Sequence, residues 1–274
     1  MISVIVPAHN EEAVLARCLR ALTRDAQPGE LEVIVAANGC TDGTVRIADD
    51  FGPPVRVVAV AAASKVAALN AGEAVATGFP RFYVDADVEF DTVALRRVAA
   101  ALSGSVLAAA PELAIDTAGS DPLVRSYYRV WCRLPSVRDD LVGRGVYALS
   151  GPGRARFASF PDVANDDHFI RETFSRAERV VVPGCVSRSW APRSTSALIA
   201  RKVRVQAGNV QIHRPNPPWS GLFAVVRRDP RLIVDAPAFS VVGAIAGLRA
   251  RRLRAQGRTP DWGRDDSRVA SSRI

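Results

Sequence analysis

Short apolar runs alternate with amphipathic stretches through the first 110 residues. Residues 2–7, 31–37, 55–60, 81–85 and 105–110 are rich in valine, isoleucine and alanine, and most close on a proline, a polar turn or an acid. That is the pattern of strands buried on both faces. Between them, residues 13–22, 45–51, 64–76 and 91–102 place apolar side chains at helical spacing. Asn10 is expected to cap the first helix, with Glu11 and Glu12 at the positive end of its dipole. Strands and helices alternating in this way predict βαβ units and a mostly parallel sheet, in which ligands bind beyond the carboxyl ends of the strands. The polar segments 8–12, 38–44 and 85–89 leave those ends and are expected to line one cleft.

Past residue 111 the pattern loosens. Residues 121–132, carrying Tyr127, Tyr128 and Trp131, read as a helix, and the glycine-dotted segment 143–153 as strand and loop. Residues 166–177 are helical by periodicity, 179–182 strand-like, and Ser194 or Thr195 is placed to cap a helix running to about Ala207. Pro215, Pro217 and Pro218 then mark a break before a C-terminal tail. In that tail residues 232–248 are apolar but interrupted by Asp235 and Pro237, and too short to span a bilayer. This divides the chain into a half at 1–110, a second half of the same domain at 111–214, and a basic extension at 215–274.

Composition narrows the class. With 48% hydrophobic and 23% charged positions the chain is globular, not disordered, collagen-like or built on disulfides. Its four cysteines are scattered with no CxxC pair, and residues 2–8 do not make a signal peptide, so a cytoplasmic location is expected. Charge is divided unevenly: 201–274 hold 15 lysines and arginines against 5 acids, whereas 1–200 hold 21 against 23. The tail therefore points to an anionic partner. Two arrangements fit it: an apolar stretch lying in the headgroups of an anionic membrane surface on the inner face of the membrane, or a helix packed on the domain with its arginines in solvent. The aromatics are too few and scattered for a nucleic-acid platform, so no nucleic acid is expected as a partner.

Five groups can carry chemistry. Asp85-Ala86-Asp87 directly follows a strand, so both carboxylates can reach one hard cation such as Mg2+ or Mn2+; alone, such a triplet is also an ordinary solvated turn with Asp91 capping the next helix. Asn38-Gly-Cys-Thr-Asp42-Gly-Thr44 is a turn whose Asp42 either caps a helix or accepts from a nucleobase. Lys65, the only lysine before residue 202, opens a helix where a cation opposes the dipole, which favours a reach toward ribose or phosphate. Asp166 and Asp167 are adjacent acids that raise each other's pKa, suiting a general base, although a helix cap explains one of them. Arg201 and Arg204 share a helical face and can hold a diphosphate, or can be a solvated face. Gly143-Arg-Gly145-Val-Tyr-Ala148 matches a dinucleotide-binding pattern, but lies mid-chain without a leading strand-helix unit and is set aside. His9, His168 and His213 lack metal-ligand spacing.

Taken in order, residues 3–12, 37–44, 65–72 and 84–87 resemble the family 2 inverting glycosyltransferases of GT-A fold. The resemblance is tight over about 110 residues and looser to about residue 207. It implies a nucleotide-diphospho-sugar donor surrounded by Pro7, Ala8 and Glu11, with Asp42 at the base and Asp85 and Asp87 at ribose, diphosphate and a divalent cation, Asp87 the more direct ligand. It implies Asp167, or its neighbour Asp166, as catalytic base, in an Asp-Asp pair where the family has Glu-Asp. The family's Q-x-x-R-W segment falls at Arg201 to Val205, with glutamine and tryptophan both replaced, which favours single-sugar transfer over processive synthesis. The expected acceptor is a glycan or lipid-linked hydroxyl in cell-envelope synthesis. A nucleotidyltransferase or an inactive carbohydrate-binding relative is the alternative.

Overall fold

The computed structural model describes residues 1–162, 165–208 and 221–256. In chain order its elements are β1 (Ile2–Ala8), α1 (Leu15–Thr23), β2 (Leu31–Asn38), α2 (Thr44–Asp49), β3 (Val55–Val60), α3 (Lys65–Val75), β4 (Arg81–Val84) and α4 (Thr92–Ala101). These are followed by β5 (Ala108–Asp116), α5 (Pro122–Trp131), α6 (Pro135–Arg138), β6 (Val146–Leu149), α7 (Gly151–Arg154), α8 (Asp166–Thr173), β7 (Arg179–Trp190), α9 (Thr195–Gly208), α10 (Leu222–Arg228) and α11 (Ala236–Ala255), with a 3-10 turn at Pro230–Val234.

One seven-stranded sheet runs in the order β3-β2-β1-β4-β6-β5-β7. Strands β1 to β4 are mutually parallel; β1, β2 and β4 are buried on both faces, whereas β3 forms the edge with Arg56 and Ala59 exposed. β6 enters antiparallel between β4 and β5, and β7 closes the far edge parallel to β5. This is the α/β architecture that the alternating pattern predicts, and 111–208 complete the same sheet. Helix α1 buries Leu15, Cys18, Leu19 and Leu22, a single face at spacings of three and four, against one side of β1 and β2. On the other side Leu69 of α3 packs with Ile5, Ile34, Tyr83 and Tyr147. Gly72 lets α3 come close, since a Cβ there would lie 2.6 Å from Ile5 Cγ2.

Two local expectations are corrected. Asn10 caps nothing: it takes a left-handed φ of 55°, and its Oδ1 accepts the Thr41 N–H at 2.8 Å, so that α1 begins only at Leu15 without a side-chain cap. β7 does not stop at Val182 but continues to Trp190, with its register against β5 shifted at Pro111/Glu112. Ser194, by contrast, accepts from Ala197 N–H as a cap of α9 should.

The described part of the tail, residues 221–256, is helical and packs on the domain. Phe239, Val242, Ala246 and Ala250 of α11 bury against α5 and α9. Asp235, buried before α11, accepts from Arg129 at 2.8 and 2.5 Å and from the Ser126 hydroxyl at 2.6 Å. The proline cluster and His213 lie outside the described residues.

Candidate functional site

The carboxyl ends of β1, β2 and β4 gather the predicted segments. Ala8, the last residue of β1, accepts from Asn38 Nδ2 at 2.9 Å, which fastens the ends of β1 and β2 together behind the half-buried Pro7. The 8–12 and 38–44 loops are then laced to each other. Thr44 Oγ1 accepts the Glu11 N–H at 2.8 Å, Asp42 Oδ2 accepts the Glu12 N–H at 3.1 Å, and Glu12 Oε2 accepts the Gly43 N–H at 3.0 Å. Asp42 Oδ1 also accepts from the Thr44 hydroxyl at 2.5 Å and from its N–H. In the structure Asp42 thus serves the turn at the start of α2.

Asp85 stands at the end of β4. Its N–H donates to the Gly145 carbonyl at 2.8 Å, and its Oδ1 meets Lys65 Nζ at 2.8 Å. Two residues on, the half-buried Asp87 has its carbonyl 3.5 Å from Arg17 Nη2, and Arg17 lies over the Trp190 ring. The acidic pair meets this edge from the other side. Lys65 Nζ is 2.7 Å from Asp166 Oδ1, and the Tyr147 hydroxyl donates to Asp166 Oδ2 at 2.8 Å, so both oxygens of that buried carboxylate are engaged. Asp167 accepts the Gly143 N–H at 2.7 Å and the N–H of His168 at 2.8 Å.

Side-chain exposure separates the acids: Asp85 is 42% exposed and Asp166 only 6%. Burial alone would lower the pKa of Lys65, but the charges of Asp166 and Asp85 outweigh it and hold the amine protonated well above the ordinary lysine range. Burial, reinforced by the Asp166 charge, raises the pKa of Asp167 above the usual carboxylate range. Burial and the same neighbour keep Tyr147 a hydroxyl. The arrangement therefore contains a partly exposed acidic strand end at Asp85, a fixed cation, the buried Asp166, and beside it the half-buried Asp167 with its raised pKa. Asp85 and Asp87 supply hard oxygen donors. Among the described residues no cluster of three or more histidine, cysteine or acidic side chains could hold a metal by itself.

Lys65 thus pairs with both acids, and its neighbours explain the rest of its motif. Ser64 Oγ accepts the Ala67 N–H as the cap of α3, and Asn70 pairs through its amide with the Phe160 backbone at 2.8 and 3.0 Å. Arg201 lies 3.4 Å from the Tyr128 hydroxyl on the α5–α9 layer, and Arg204 is half-buried on the same helix. Between these arginines, Lys202 sits over Trp131 and Tyr127 with ring centroids 4.7 and 5.2 Å away. Burial, with the charge of Arg201, pushes its pKa down to about 7. Trp131 in turn lies over Gly143, where a Cβ would be 3.4 Å from the ring, which brings α5 to the border of the acidic pair.

The segment that sequence reasoning set aside positions much of the site. Because β6 runs antiparallel beside β4, its leading residues arrive where β4 ends. Gly143 and Gly145, at φ 74° and 67°, present an N–H to Asp167 and a carbonyl to Asp85. A Cβ on Gly145 would lie 2.5 Å from Val88 Cγ2. Between them the fully buried Arg144 donates to the carbonyls of Asp140, Pro111, Val137 and Arg138 at 2.6–2.8 Å. Two glycines around a charged residue were the available signal.

The model of Glycosyl transferase family 2 matches residues 3–142. Glycosyltransferase AglE of Haloferax volcanii is 43% identical over 51 residues, 18% of this chain and 17% of that relative's length. Among solved structures, the mannosyltransferase PcManGT of Pyrobaculum calidifontis, in complex with GDP-Man and Mn2+, superposes with a TM-score of 0.61 at 22% identity, over 93% of this chain and 79% of its own. Glucosyl-3-phosphoglycerate synthase of Mycobacterium tuberculosis, with Mn2+, UDP and glucosyl-3-phosphoglycerate, gives 0.52 at 21% identity over 79% and 81%. The S. aureus protein TarS gives 0.52 at 14% identity over 94% and 92%.

Proposed function

The chain belongs to glycosyl transferase family 2, and we propose that it moves one sugar from a nucleotide-diphospho-sugar to an acceptor hydroxyl with inversion at the anomeric carbon. The observation that carries this reading is the division of labour in the acidic pair. Asp166 is committed to Lys65 and Tyr147, whereas Asp167 keeps a raised pKa beside the strand end that bears Asp85 and Asp87.

In this reading the donor lies across the laced loops at the ends of β1 and β2. Pro7, Ala8 and Glu11 surround the nucleotide, and the base is met at the Asp42 turn. Lys65 and Asp85 face the ribose and diphosphate. A site of two carboxylates at one strand end, leaving the remaining coordination to phosphate oxygens and water, suits Mg2+ or Mn2+. Asp87 and Asp85 would hold that cation, which supplies positive charge to the leaving diphosphate. Mn2+ and a nucleotide accompany two of the structural relatives above, which supports the same pairing here. Arg204 and Arg201 add cationic charge on the leaving-group side. Asp167 takes the proton of the acceptor hydroxyl as its oxygen attacks C1 from the face opposite the diphosphate. One base and one displacement give inversion without a covalent intermediate. Gly143 holds Asp167 in place through its N–H, and Tyr147 and Lys65 keep Asp166 from competing for the same proton.

The acceptor class we favour is a glycan or lipid-linked hydroxyl of the cell envelope, which the apolar and arginine-rich outer face of the tail supports. A panel of UDP-, GDP-, ADP- and dTDP-sugars, incubated with Mn2+ or Mg2+, tests the reading. At least one donor should release its nucleoside diphosphate, and EDTA should stop the release. Turnover of none of them would favour the inactive carbohydrate-binding alternative.

A further inference from the structure

The tail that packs on the domain with one face leaves a second apolar face uncovered. Along α11, Pro237, Val241, Ala244 and Leu248 are exposed at spacings of four, three and four, which is one stripe of a helix. The inner stripe of Phe239, Val242, Ala246 and Ala250 is the one that meets α5 and α9. The 3-10 turn packs on both α10 and α11 and adds Ile233 and Val234, and α10 adds Phe223. Exposure runs from 51% at Val241 to 81% at Phe223. Of the ten large apolar side chains exposed among the described residues, five lie in this short tail, so this is a concentration and not a scatter.

Cations surround that face. Arg227, Arg228, Arg231, Arg249, Arg251 and Arg252 are all exposed. Of the two acids of the described tail, Asp235 is buried on Arg129, and the partly exposed Asp229 lies 4.0 Å from Arg133. No helix among the described residues is long and apolar enough to cross a membrane. An apolar stripe of limited depth, rimmed by arginines and anchored to a rigid body, matches the chemistry of an anionic bilayer surface: acyl-chain boundary for the stripe, phosphate headgroups for the guanidinium groups. A second copy of this chain fits less well, because a two-fold contact would set the same arginines against one another.

We infer that the outer face of α10, the 3-10 turn and α11 docks the protein on an anionic lipid surface without spanning it. Asp235, through Arg129 and Ser126, is the joint that holds this face in a fixed relation to the sheet and hence to the acidic strand end.

Cosedimentation of the full chain with vesicles of phosphatidylcholine alone, and of phosphatidylcholine with about 30 mol% phosphatidylglycerol, tests this. Binding is expected to the anionic vesicles only, weakening as salt is raised. The variant Ile233→Ser/Val234→Ser/Leu248→Ser should lose about tenfold or more in partition, and Arg227→Gln/Arg228→Gln/Arg231→Gln roughly 100-fold. All six side chains are exposed, so both variants should keep the wild-type unfolding midpoint. Absence of binding to anionic vesicles, binding that the apolar variant leaves unchanged, or a salt-resistant dimer abolished by that variant would each overturn the inference. Vesicle binding needs no sugar donor, so its failure would leave the transferase reading standing.

Discussion

Lys65 Nζ meets Asp166 Oδ1 at 2.7 Å, and this one ion pair ties the helix that follows β3 to the helix that carries Asp167. The same ammonium holds Asp85 at 2.8 Å. The strand end proposed to face the donor and the acids proposed to face the acceptor therefore share a single cation, and charge changes on either side should be felt at Asp167.

That coupling predicts opposite shifts in a pH–rate profile. Asp167 acts as a base only when ionised, so kcat/KM should fall as pH drops through its raised pKa, at higher pH than an ordinary carboxylate would give. Asp166→Asn removes the neighbouring negative charge and should move the acid limb to lower pH. Lys65→Met removes a positive charge and should move it to higher pH. Shifts of the same sign in both variants would contradict the arrangement.

Asp167→Asn should retain nucleotide affinity and lose about 10²–10⁴-fold in transfer, the usual contribution of a positioned base. Single-turnover assays separate the two quantities. A loss of that size in Asp166→Asn with little effect in Asp167→Asn would exchange their roles.

Arg144 satisfies four carbonyls, three of them in buried hydrogen bonds, and fixes the loop that presents Gly143 and Gly145. Arg144→Met leaves those carbonyls without a donor and should cost about 3 kcal/mol or more in urea unfolding. Arg144→Lys should recover little, since an ammonium cannot reproduce the planar fork.

Lys202 gives a stability prediction. Its folded pKa of about 7 lies below the value of an unfolded lysine, so between the two the unfolded chain binds more protons. Stability should therefore rise from about pH 7 toward about pH 10. Lys202→Met should flatten that rise and should be more stable than wild type at and below neutrality. Chemical denaturation at a series of pH values reads both effects; a slope unchanged by the substitution would show that the amine is solvated.

The first half of the molecule was legible in the sequence because its structure is local. Each βα unit repeats the same apolar strand and polar turn, so β1 to β4, the turn at Asp42 and the position of Asp85 follow from pattern alone. The second half depends on pairings between distant residues. Nothing near residues 143–145 announces that β6 will enter antiparallel beside β4, and only that pairing turns two glycines and Arg144 into supports of the site. β7 was foreshortened because Pro183 and Gly184 resemble a stop, whereas the strand passes them with its register against β5 shifted. Asn10 resembles a cap by position, but its amide is drawn across to Thr41 by the neighbouring loop. For Lys65 the anomaly was visible, a lone lysine set against a helix dipole. The acids that resolve it lie 20 and 101 residues away in the chain and come together only through the sheet.

Asp85 and Asp87 are proposed to receive a nucleoside diphosphate together with a divalent cation. Calorimetric titration of UDP and GDP in the presence of Mn2+, into the wild-type chain and into Asp87→Ala, tests it most directly. At least one nucleotide is expected to bind the wild-type protein, with binding lost when EDTA replaces Mn2+ and lost in Asp87→Ala while that variant keeps the wild-type unfolding midpoint. Equal affinity in all three conditions would contradict it.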